Sequence, residues 1–412
     1  GGQAPPGAIV ANEIVSKRAE VLSHQMGRMG SGAYVVTNFD AQFFPALFDE
    51  AGQPLLFDRV LADVPCSGDG TMRKYPAVWS KWTPRDALGL HHRQYTILCR
   101  GVELLKVGGR LVYSTCSLNP IENEAVVAAV VRRYGASVSL LPFPELEGLR
   151  GSPGLPSWVV PHPDVEQEVC WERPEQVPPE LRDKILGGCF PAAPGSPEDE
   201  VWKQACGYCR RFMPHEADTG GFFVALLTKN FAPDVLHKVA STRIAGGKPT
   251  ARISQEGEEA RRDNDDVDED SVEGADAPRD GIADVKALPA QQGAADVADC
   301  GADGPSQKPP RQKQKKPLRA FSDFESVPLD GPDWRAAAQF LGIELGGPFR
   351  ICRRGGRDRR MFCVSEGAAR VLLSQARMSV RVMTAGVRIL ERLHEGRDDG
   401  APSAWRACQE GA

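Results

Sequence analysis

The chain has 412 residues, 41% of them hydrophobic and 7% aromatic, which is enough for two or three domains with a sizeable core. No run approaches the ~18 consecutive apolar residues that a membrane span requires, so we expect no membrane partner. The 11 cysteines are an odd number without regular spacing. This pattern favours reduced thiols in a cytosolic or nuclear protein over a secreted disulfide framework.

Charge is distributed unevenly along the chain. The net charge is −5, but residues 251–310 carry 16 acidic and 6 basic side chains, whereas residues 311–412 carry 19 basic and 12 acidic ones. The basic excess at the C-terminal end suits a polyanion, and ordinary solvated surface charge explains it equally well. The overall net charge therefore says little about partners.

The first part of the chain alternates strand-like and helical patterns. Apolar residues recur at three- and four-residue steps before the glycine pair at 108–109, which is expected to end that helix. Such alternation is typical of a mostly parallel, doubly wound α/β sheet. The predicted strands cover 8–12, 33–37, 59–62 and 110–114, and the predicted helices cover 16–30, 84–106 and 125–133.

The last of these helices is predicted to start close behind its strand. Proline is tolerated in a first helical turn, which suits Pro120. The carboxylates of Glu122 and Glu124 suit the positive end of the helix dipole. We therefore expect both glutamates to belong to the beginning of the helix.

The composition divides the chain into three parts. Residues 1–231 are predicted to form the α/β domain, with 222–227 as its last strand and 142–200 as a long irregular insertion. Residues 232–318 are poor in aromatic side chains and acidic in the middle, which predicts a disordered linker. Residues 319–412 regain apolar strand-like runs and are predicted to form a second, small α/β or mostly-β module.

Two cysteines lie in short polar loops directly after predicted strands. Cys66 follows the strand at 59–62, and Cys116 follows the strand at 110–114. Loops at the carboxyl ends of the strands form the ligand crevice of an open α/β sheet, so we expect both thiols there. A thiolate attacks electron-poor carbon. The pair suggests covalent chemistry on a bound ligand, with two semi-buried structural cysteines as the alternative.

Other cysteine chemistries have less support in the sequence. Cys206 and Cys209 have the two-residue gap of zinc ligands, but no matching second pair accompanies them, so we expect no metal. A cysteine hydrolase needs a histidine base for its thiol, and the seven histidines show no supporting motif.

Three carboxylates follow predicted strands in the same way. An acid at a strand end in a Rossmann-like sheet commonly binds ribose hydroxyls, which suits Glu13 and Asp40. Asp63, three residues before Cys66, is placed to hydrogen-bond a base edge or a cofactor. Singly, Glu13 and Asp40 are each explained as well by a solvated loop carboxylate. The alternative for Asp63 is capping of its own turn, which contains Pro65. Together they favour a ligand site.

Three motifs resemble the Nol/Nop/Sun family of RNA (cytosine-5) methyltransferases, and in particular its eukaryotic multisite tRNA branch. They are DVPCSGDGT at 63–71, YSTCSLNPIENE at 113–124 and TGGFFVA at 219–225. The resemblance covers about residues 8–231 and, more loosely, 321–395. It implies a class I methyltransferase sheet, S-adenosylmethionine as cofactor, tRNA and other RNA as substrate, and a nuclear or nucleolar location.

The resemblance also implies roles for the five candidate residues. Cys116 matches the nucleophile that attacks carbon-6 of a flipped-out cytosine, so that carbon-5 takes the methyl group. Cys66 matches the second cysteine, which resolves the covalent adduct. Glu13, Asp40 and Asp63 match acids that contact the cofactor. DNA cytosine methyltransferases instead use the cysteine of the Pro-Cys loop as nucleophile, which here is Cys66.

The resemblance is incomplete at its beginning. The family's glycine-rich loop after the first strand, which cradles the methionine end of the cofactor, has no counterpart before residue 8. We expect the chain, which begins at Gly1 rather than Met, to be a piece of a longer protein that lacks the first β-α unit. The C-terminal module resembles an RNA-contacting domain that is also cut short. The alternative is a non-catalytic RNA-binding protein of the same fold.

Overall fold

The computed structural model describes residues 7–49, 51–144, 146–232, 324–328, 334–335, 349–354, 360–376, 380–392 and 405–408. These residues all belong to one compact unit. Apart from Ala232, the predicted linker over 232–318 lies outside them. Within these ranges no helix is both long and apolar enough to cross a bilayer.

Most predicted elements are present, with shifted ends. The N-terminal strands are β1 (Ile9–Asn12), β2 (Tyr34–Asn38), β3 (Leu47–Phe48), β4 (Pro54–Leu55), β5 (Phe57–Asp63), β6 (Leu105–Thr115), β7 (Val138–Leu141), β8 (Ser152–Pro153), β9 (Val160–Pro161), β10 (Cys170–Trp171), β11 (Arg210–Phe212) and β12 (Phe222–Lys229). The accompanying helices are α1 (Ser16–Gly27), α2 (Ala77–Lys81), α3 (Pro84–Leu104), α4 (Glu124–Tyr134), α5 (Pro197–Ala205) and α6 (Pro214–Ala217). The C-terminal elements are β13 (Phe324–Val327), β14 (Phe349–Arg354), β15 (Arg360–Ser365), α7 (Glu366–Leu372), β16 (Gln375–Ala376), β17 (Arg381–Ala385), β18 (Val387–Arg392) and β19 (Trp405–Ala407).

The largest sheet has the strand order β5-β6-β12-β11-β8, with β7 paired to β12. β5 and β6 are parallel, and β12 is antiparallel to both β6 and β7. This confirms that the predicted strand at 222–227 joins the sheet that carries both cysteine loops. The arrangement is a mixed α/β fold, as the alternating pattern predicts.

A second sheet holds the parallel pair β1 and β2, with β17 added antiparallel to β2. The expectation of one doubly wound sheet is therefore not met among the described residues. Among the described strands, β1 pairs only with β2, and β5 pairs only with β6. No described strand therefore joins the two sheets between β1 and β5. Ile9 on β1 and Leu61 on β5 are 62% and 70% exposed as a result.

The start of helix α3 is set by a local sequence signal, and its end is set by packing in the core. Its start is a capping box, in which the backbone N and Oγ1 of Thr83 donate to the Asp86 carboxylate at 3.0 and 2.9 Å. The predicted end at the glycine pair is wrong. The helix ends at Leu104, because Leu105 takes an extended conformation and buries its side chain. Gly108, at φ +76°, instead turns the chain within β6.

Between β7 and α5 the described residues contain only short strands and 3₁₀ turns, as predicted for an irregular insertion, whose last residues from Pro197 onward belong to α5. Their aromatic side chains nevertheless belong to the main core. Trp158, Trp171 and Phe190 are buried together with side chains of α3, α4 and β12. The insertion therefore covers the sheet instead of extending away from it.

The C-terminal residues form a separate antiparallel sheet in the order β13-β14-β15-β18-β19, which confirms a small mostly-β module. The module also pairs with the N-terminal part through β17 on β2 and β16 on β3. Val35 and Leu47 share one buried cluster with Ala368 and Val382. The boundary between 231 and 319 stays a prediction, since the two parts share this core.

Candidate active site

The two cysteine loops meet at one edge of the large sheet. β5 and β6 are parallel neighbours with Asp63 opposite Ser114, so the loops that follow them leave the sheet side by side. The Sγ atoms of Cys66 and Cys116 lie 3.2 Å apart, and both side chains are partly exposed. The predicted convergence of the two thiols is therefore present in the structure.

The hydrogen bond between the two thiols shifts their pKa values in opposite directions. The hydrogen bond from Cys66 lowers the pKa of Cys116, although burial and the nearby carboxylate of Asp63 oppose this effect. The same hydrogen bond raises the pKa of Cys66, and burial and the charge of Glu122 raise it further. The hydrogen bond thus favours the proton on Cys66 and the thiolate, which is the nucleophilic form, on Cys116.

This arrangement predicts a pH-dependent reactivity that depends on the partner thiol. We expect alkylation of Cys116 by iodoacetamide to rise with pH through a midpoint below that of an ordinary exposed cysteine. Cys66→Ala should move the midpoint upward, because the donor is lost while burial remains. The measurement is the alkylation rate of the Cys116 peptide by mass spectrometry across pH. An unchanged or lower midpoint in Cys66→Ala would contradict the shared proton.

A buried carboxylate lies beneath the two loops. Glu122 is fully buried and accepts hydrogen bonds from Ser67 N at 2.8 Å, Ser67 Oγ at 2.5 Å, Ser117 Oγ at 2.8 Å and Gln94 Nε2 at 2.9 Å. Burial raises its pKa, and the four hydrogen bonds oppose that rise. Ser67 and Ser117 each follow a cysteine, so Glu122 fixes both cysteine loops from one point.

This role of Glu122 was not predicted from the sequence. Glu122 was expected in the first turn of a helix, but α4 begins at Glu124, and the Glu122 side chain is buried ahead of it. The sequence contains only a weak indication of this role. A serine follows each of the two cysteines, and Glu122 lies a few residues after the second serine in the motif at 113–124. Glu124 does lie in the first helical turn, yet it is also buried and forms an ion pair with Arg211 at 2.6 Å.

Backbone contacts lock the loops together at Gly70. Its N donates to the carbonyl of Cys116 at 2.9 Å, and its own carbonyl accepts from Gly221 N at 2.7 Å. A Cβ at position 70 would lie 2.5 Å from the Gly221 oxygen and 2.6 Å from the Cys116 oxygen, so only glycine fits. All three predicted motifs therefore meet at this point.

The predicted acids fall into two groups. Asp63 ends β5 and accepts a hydrogen bond from Ser114 Oγ at 3.4 Å, which places it beside the thiols. Glu13 and Asp40 follow β1 and β2, at the carboxyl edge of the other sheet. The structure thus brings Asp63 to the cysteines, whereas Glu13 and Asp40 belong to the separate parallel pair.

Glu13 and Asp40 each have local partners. Glu13 accepts from Val15 N at 2.9 Å and pairs with Arg18 at 2.9 Å, and 16% of its side chain is exposed. Asp40 accepts from Gln42 N at 2.9 Å and so caps its own 3₁₀ turn. The cap at Asp40 was not among the sequence-based expectations, and a ligand role for either acid stays a prediction.

Metal and hydrolase chemistry find no support in the described part of the chain. No group of three or more potential ligands is close enough there to hold a metal ion. Cys206 and Cys209 are both buried free thiols. His91 is buried and its Nδ1 contacts the Ile121 carbonyl at 2.8 Å, so it belongs to the core rather than to a thiol–histidine pair.

The chain is similar to several known methyltransferases. A family model described as 16S rRNA methyltransferase RsmB/F matches residues 3–169. A tRNA (cytosine(34)-C(5))-methyltransferase of Drosophila melanogaster is 45% identical over 230 residues, which cover 55% of this chain and 30% of that protein. A multisite-specific tRNA:(cytosine-C(5))-methyltransferase of Saccharomyces cerevisiae is 42% identical over 233 residues, which cover 55% and 32%.

A solved methyltransferase homologue from Pyrococcus horikoshii is 26% identical and covers 54% of this chain and 53% of its own. Its TM-score of 0.35 is too low to define a common fold. The chain spans about a third of the length of the curated relatives named above. The family match nevertheless includes β1, β2, β5, β6 and both cysteine loops. The part of the chain that carries the two thiols is therefore similar to the RsmB/F family of rRNA methyltransferases.

Proposed function

We propose that the protein transfers a methyl group from S-adenosylmethionine to carbon-5 of cytosine in tRNA. The observation that carries the proposal is the contact between two loop thiols, 3.2 Å apart, of which Cys116 is the more acidic. The names of the Drosophila and yeast relatives support cytosine in tRNA as the substrate.

Cys116 acts as the nucleophile in this proposal. Its thiolate forms a bond to carbon-6 of the cytosine, and the electron pair of the 5,6 double bond makes carbon-5 nucleophilic. Carbon-5 then takes the methyl group. Loss of the carbon-5 proton restores the double bond and expels the Cys116 thiolate. Each turnover therefore begins and ends with the same thiolate.

Cys66 is the proposed group for resolving the adduct. Its pKa is raised mainly because it donates to the Cys116 sulphur. Once that sulphur is bonded to carbon-6, its negative charge is gone, and Cys66 loses its proton more easily. A thiolate then appears beside the adduct when the carbon-5 proton must be removed. The different roles of Cys116 as nucleophile and Cys66 as resolving group therefore follow from the proton that the two thiols share.

Glu13, Asp40 and Asp63 are the proposed residues for S-adenosylmethionine, which supplies the methyl group when bound. Strand-end carboxylates accept hydrogen bonds from ribose hydroxyls, and Glu13 keeps part of its side chain exposed. Asp63 lies beside the thiols, where a methyl donor is needed. The open edges of β1 and β5 suit a class I sheet without its first β-α unit.

An RNA substrate fits the chemistry of the site. A cytosine inside a duplex is inaccessible, so it must be extruded or already unpaired. We propose that the C-terminal antiparallel sheet contacts the same RNA, since residues 311–412 have an excess of basic side chains. A nuclear or nucleolar location is part of the proposal and rests on the family resemblance alone.

A second candidate is a non-catalytic RNA-binding protein of the same fold. Its support is the separation of β1 and β5 into different sheets, which leaves Glu13 and Asp40 apart from the strands that carry the thiols. Titration calorimetry of the chain with S-adenosylmethionine distinguishes the two candidates. Saturable binding supports the enzyme, and absence of heat at any concentration supports the non-catalytic protein.

The proposal is tested by incubating the chain with methyl-labelled S-adenosylmethionine and tRNA. We expect label in 5-methylcytosine after digestion of the RNA to nucleosides, and none with tRNA whose cytosines carry a 5-methyl group already. Label in another nucleoside, or label that Cys116→Ala leaves intact, would contradict the proposal.

A further inference from the structure

A basic segment rich in aromatic residues projects beside the cysteine loops. We call residues 72–85 the aromatic arm; it contains helix α2 between the Cys66 loop and α3. Trp79 on this arm is 78% exposed, and Tyr75 is 44% exposed. Exposing an indole ring to water is unfavourable for the free protein, which marks the arm as a binding surface.

The arm is fixed to the reacting loops at both ends. At its start, the backbone N of Lys74 and of Tyr75 donate to the Thr71 carbonyl at 2.8 and 2.9 Å. At its end, Trp82 Nε1 donates to Ser67 Oγ at 2.9 Å, and Ser67 directly follows Cys66. Trp79 precedes Trp82 by three residues, about 4.5 Å along a helix. Trp79 thus lies one helical turn from the side chain that joins the arm to the Cys66 loop.

Space for a planar group lies next to the arm. A cavity of about 320 Å³ is lined by Trp82 of the arm and by Asp69 and Asn119, which follow Cys66 and Cys116 in their loops. The cavity joins the arm to both cysteine loops.

The charge of the arm identifies its partner. Residues 72–85 contain Arg73, Lys74, Lys81 and Arg85 and no acidic side chain. The Nζ of Lys74 lies 5.0 Å from the ring centre of Tyr75, so charge and aromatic surface are interleaved. Positive charge along a backbone path combined with exposed rings is the pattern that binds single-stranded nucleic acid. Arg73 forms an ion pair with Asp218 at 2.6 Å, and the arm carries three further basic side chains.

Resting on the function proposed above, we propose that Trp79 is the stacking platform for an unpaired nucleotide that flanks the target cytosine. Its ring stacks on the neighbouring base, and Tyr75 and Lys81 contact the adjoining base and phosphate. The arm thereby selects cytosines in single-stranded segments of the RNA over cytosines in a duplex. Stacking tolerates every base, so the platform sets strandedness and not sequence.

The test is the affinity of the full chain for a fluorescently labelled single-stranded RNA that contains one cytosine, measured by anisotropy. Trp79→Ala should weaken binding about 5- to 150-fold, the range that loss of one base stack produces. Trp79→Phe should recover part of that loss. Tyr208→Ala, which removes a 41% exposed aromatic outside the arm, is the matched control and should change nothing.

The salt dependence of RNA affinity distinguishes the contribution of base stacking from that of charge. Trp79→Ala should leave the slope of log affinity against log salt unchanged, whereas Lys81→Gln should lower it by about 0.7, one phosphate contact on a single strand. If Trp79→Ala lost the same affinity for single-stranded RNA as for duplex RNA, the proposed selectivity for single-stranded segments would be overturned. Unchanged affinity in Trp79→Ala would overturn the platform and leave the ring as a contact for a protein.

The failure of this inference is distinguishable from the failure of the proposed function. Weakened RNA binding in Trp79→Ala, together with no methyl transfer by the wild-type chain, would keep the platform and remove the enzyme. Methyl transfer by the wild-type chain with unchanged RNA affinity in Trp79→Ala would keep the enzyme and remove the platform.

Discussion

Replacing Cys116 by alanine should lower methyl transfer to cytosine by about 10⁴-fold or more, because the reaction then lacks the group that activates carbon-5. The measurement is the rate of 5-methylcytosine formation at saturating RNA. RNA affinity and thermal stability should stay close to those of the wild type, since the Cys116 side chain is partly exposed and small. The loss is then chemical and not structural.

The matched control for this variant is Cys363→Ala. Cys363 is a partly exposed cysteine on β15, away from the two loops, and its removal should leave the rate unchanged. A Cys116→Ala protein that still methylates at a tenth of the wild-type rate would show that this sulphur is not the nucleophile.

Replacing Glu122 by alanine should destabilise the folded protein by about 3–5 kcal/mol. The variant leaves Ser67 N, Ser67 Oγ, Ser117 Oγ and Gln94 Nε2 without their shared acceptor in a buried site. Each buried donor without a partner costs about 1–3 kcal/mol, and partial relaxation keeps the total below the sum. Urea unfolding of wild type and variant measures the change.

Two further variants show whether a loss of stability in Glu122→Ala comes from the buried carboxylate. Glu122→Gln keeps the shape and one acceptor oxygen and should lose less stability than Glu122→Ala. Glu180→Ala removes an exposed glutamate and should stay within about 0.5 kcal/mol of the wild type. If Glu122→Ala unfolds at the same urea concentration as Glu180→Ala, the carboxylate does not hold the cysteine loops.

Local sequence signals predicted the parts of the site that depend on short-range order. Both cysteines follow β5 and β6, which are apolar strands, and parallel neighbours bring their loops to one edge. The convergence of Cys66 and Cys116 therefore followed from two strand-end positions. The family motifs added the distinction between the two thiols, which spacing alone left open.

Long-range contacts explain what the sequence did not predict. Glu122 was read as a helix-start residue because its neighbours in sequence suit a helix, but its partners Ser67 and Gln94 lie 55 and 28 residues away. The pairing of β17 with β2 joins residues more than 340 positions apart, and no local pattern encodes it. Leu105 ended α3 early because of packing in the core, which outweighed the glycine pair.

Covalent trapping tests the central claim most directly. The wild-type chain, Cys66→Ala and Cys116→Ala are incubated with tRNA and S-adenosylmethionine and then resolved under denaturing conditions. We expect a stable protein–RNA adduct for Cys66→Ala, because Cys116 attacks and the adduct is not resolved, and no adduct for Cys116→Ala. An adduct that forms in Cys116→Ala and is absent from Cys66→Ala would make Cys66 the nucleophile and contradict the account.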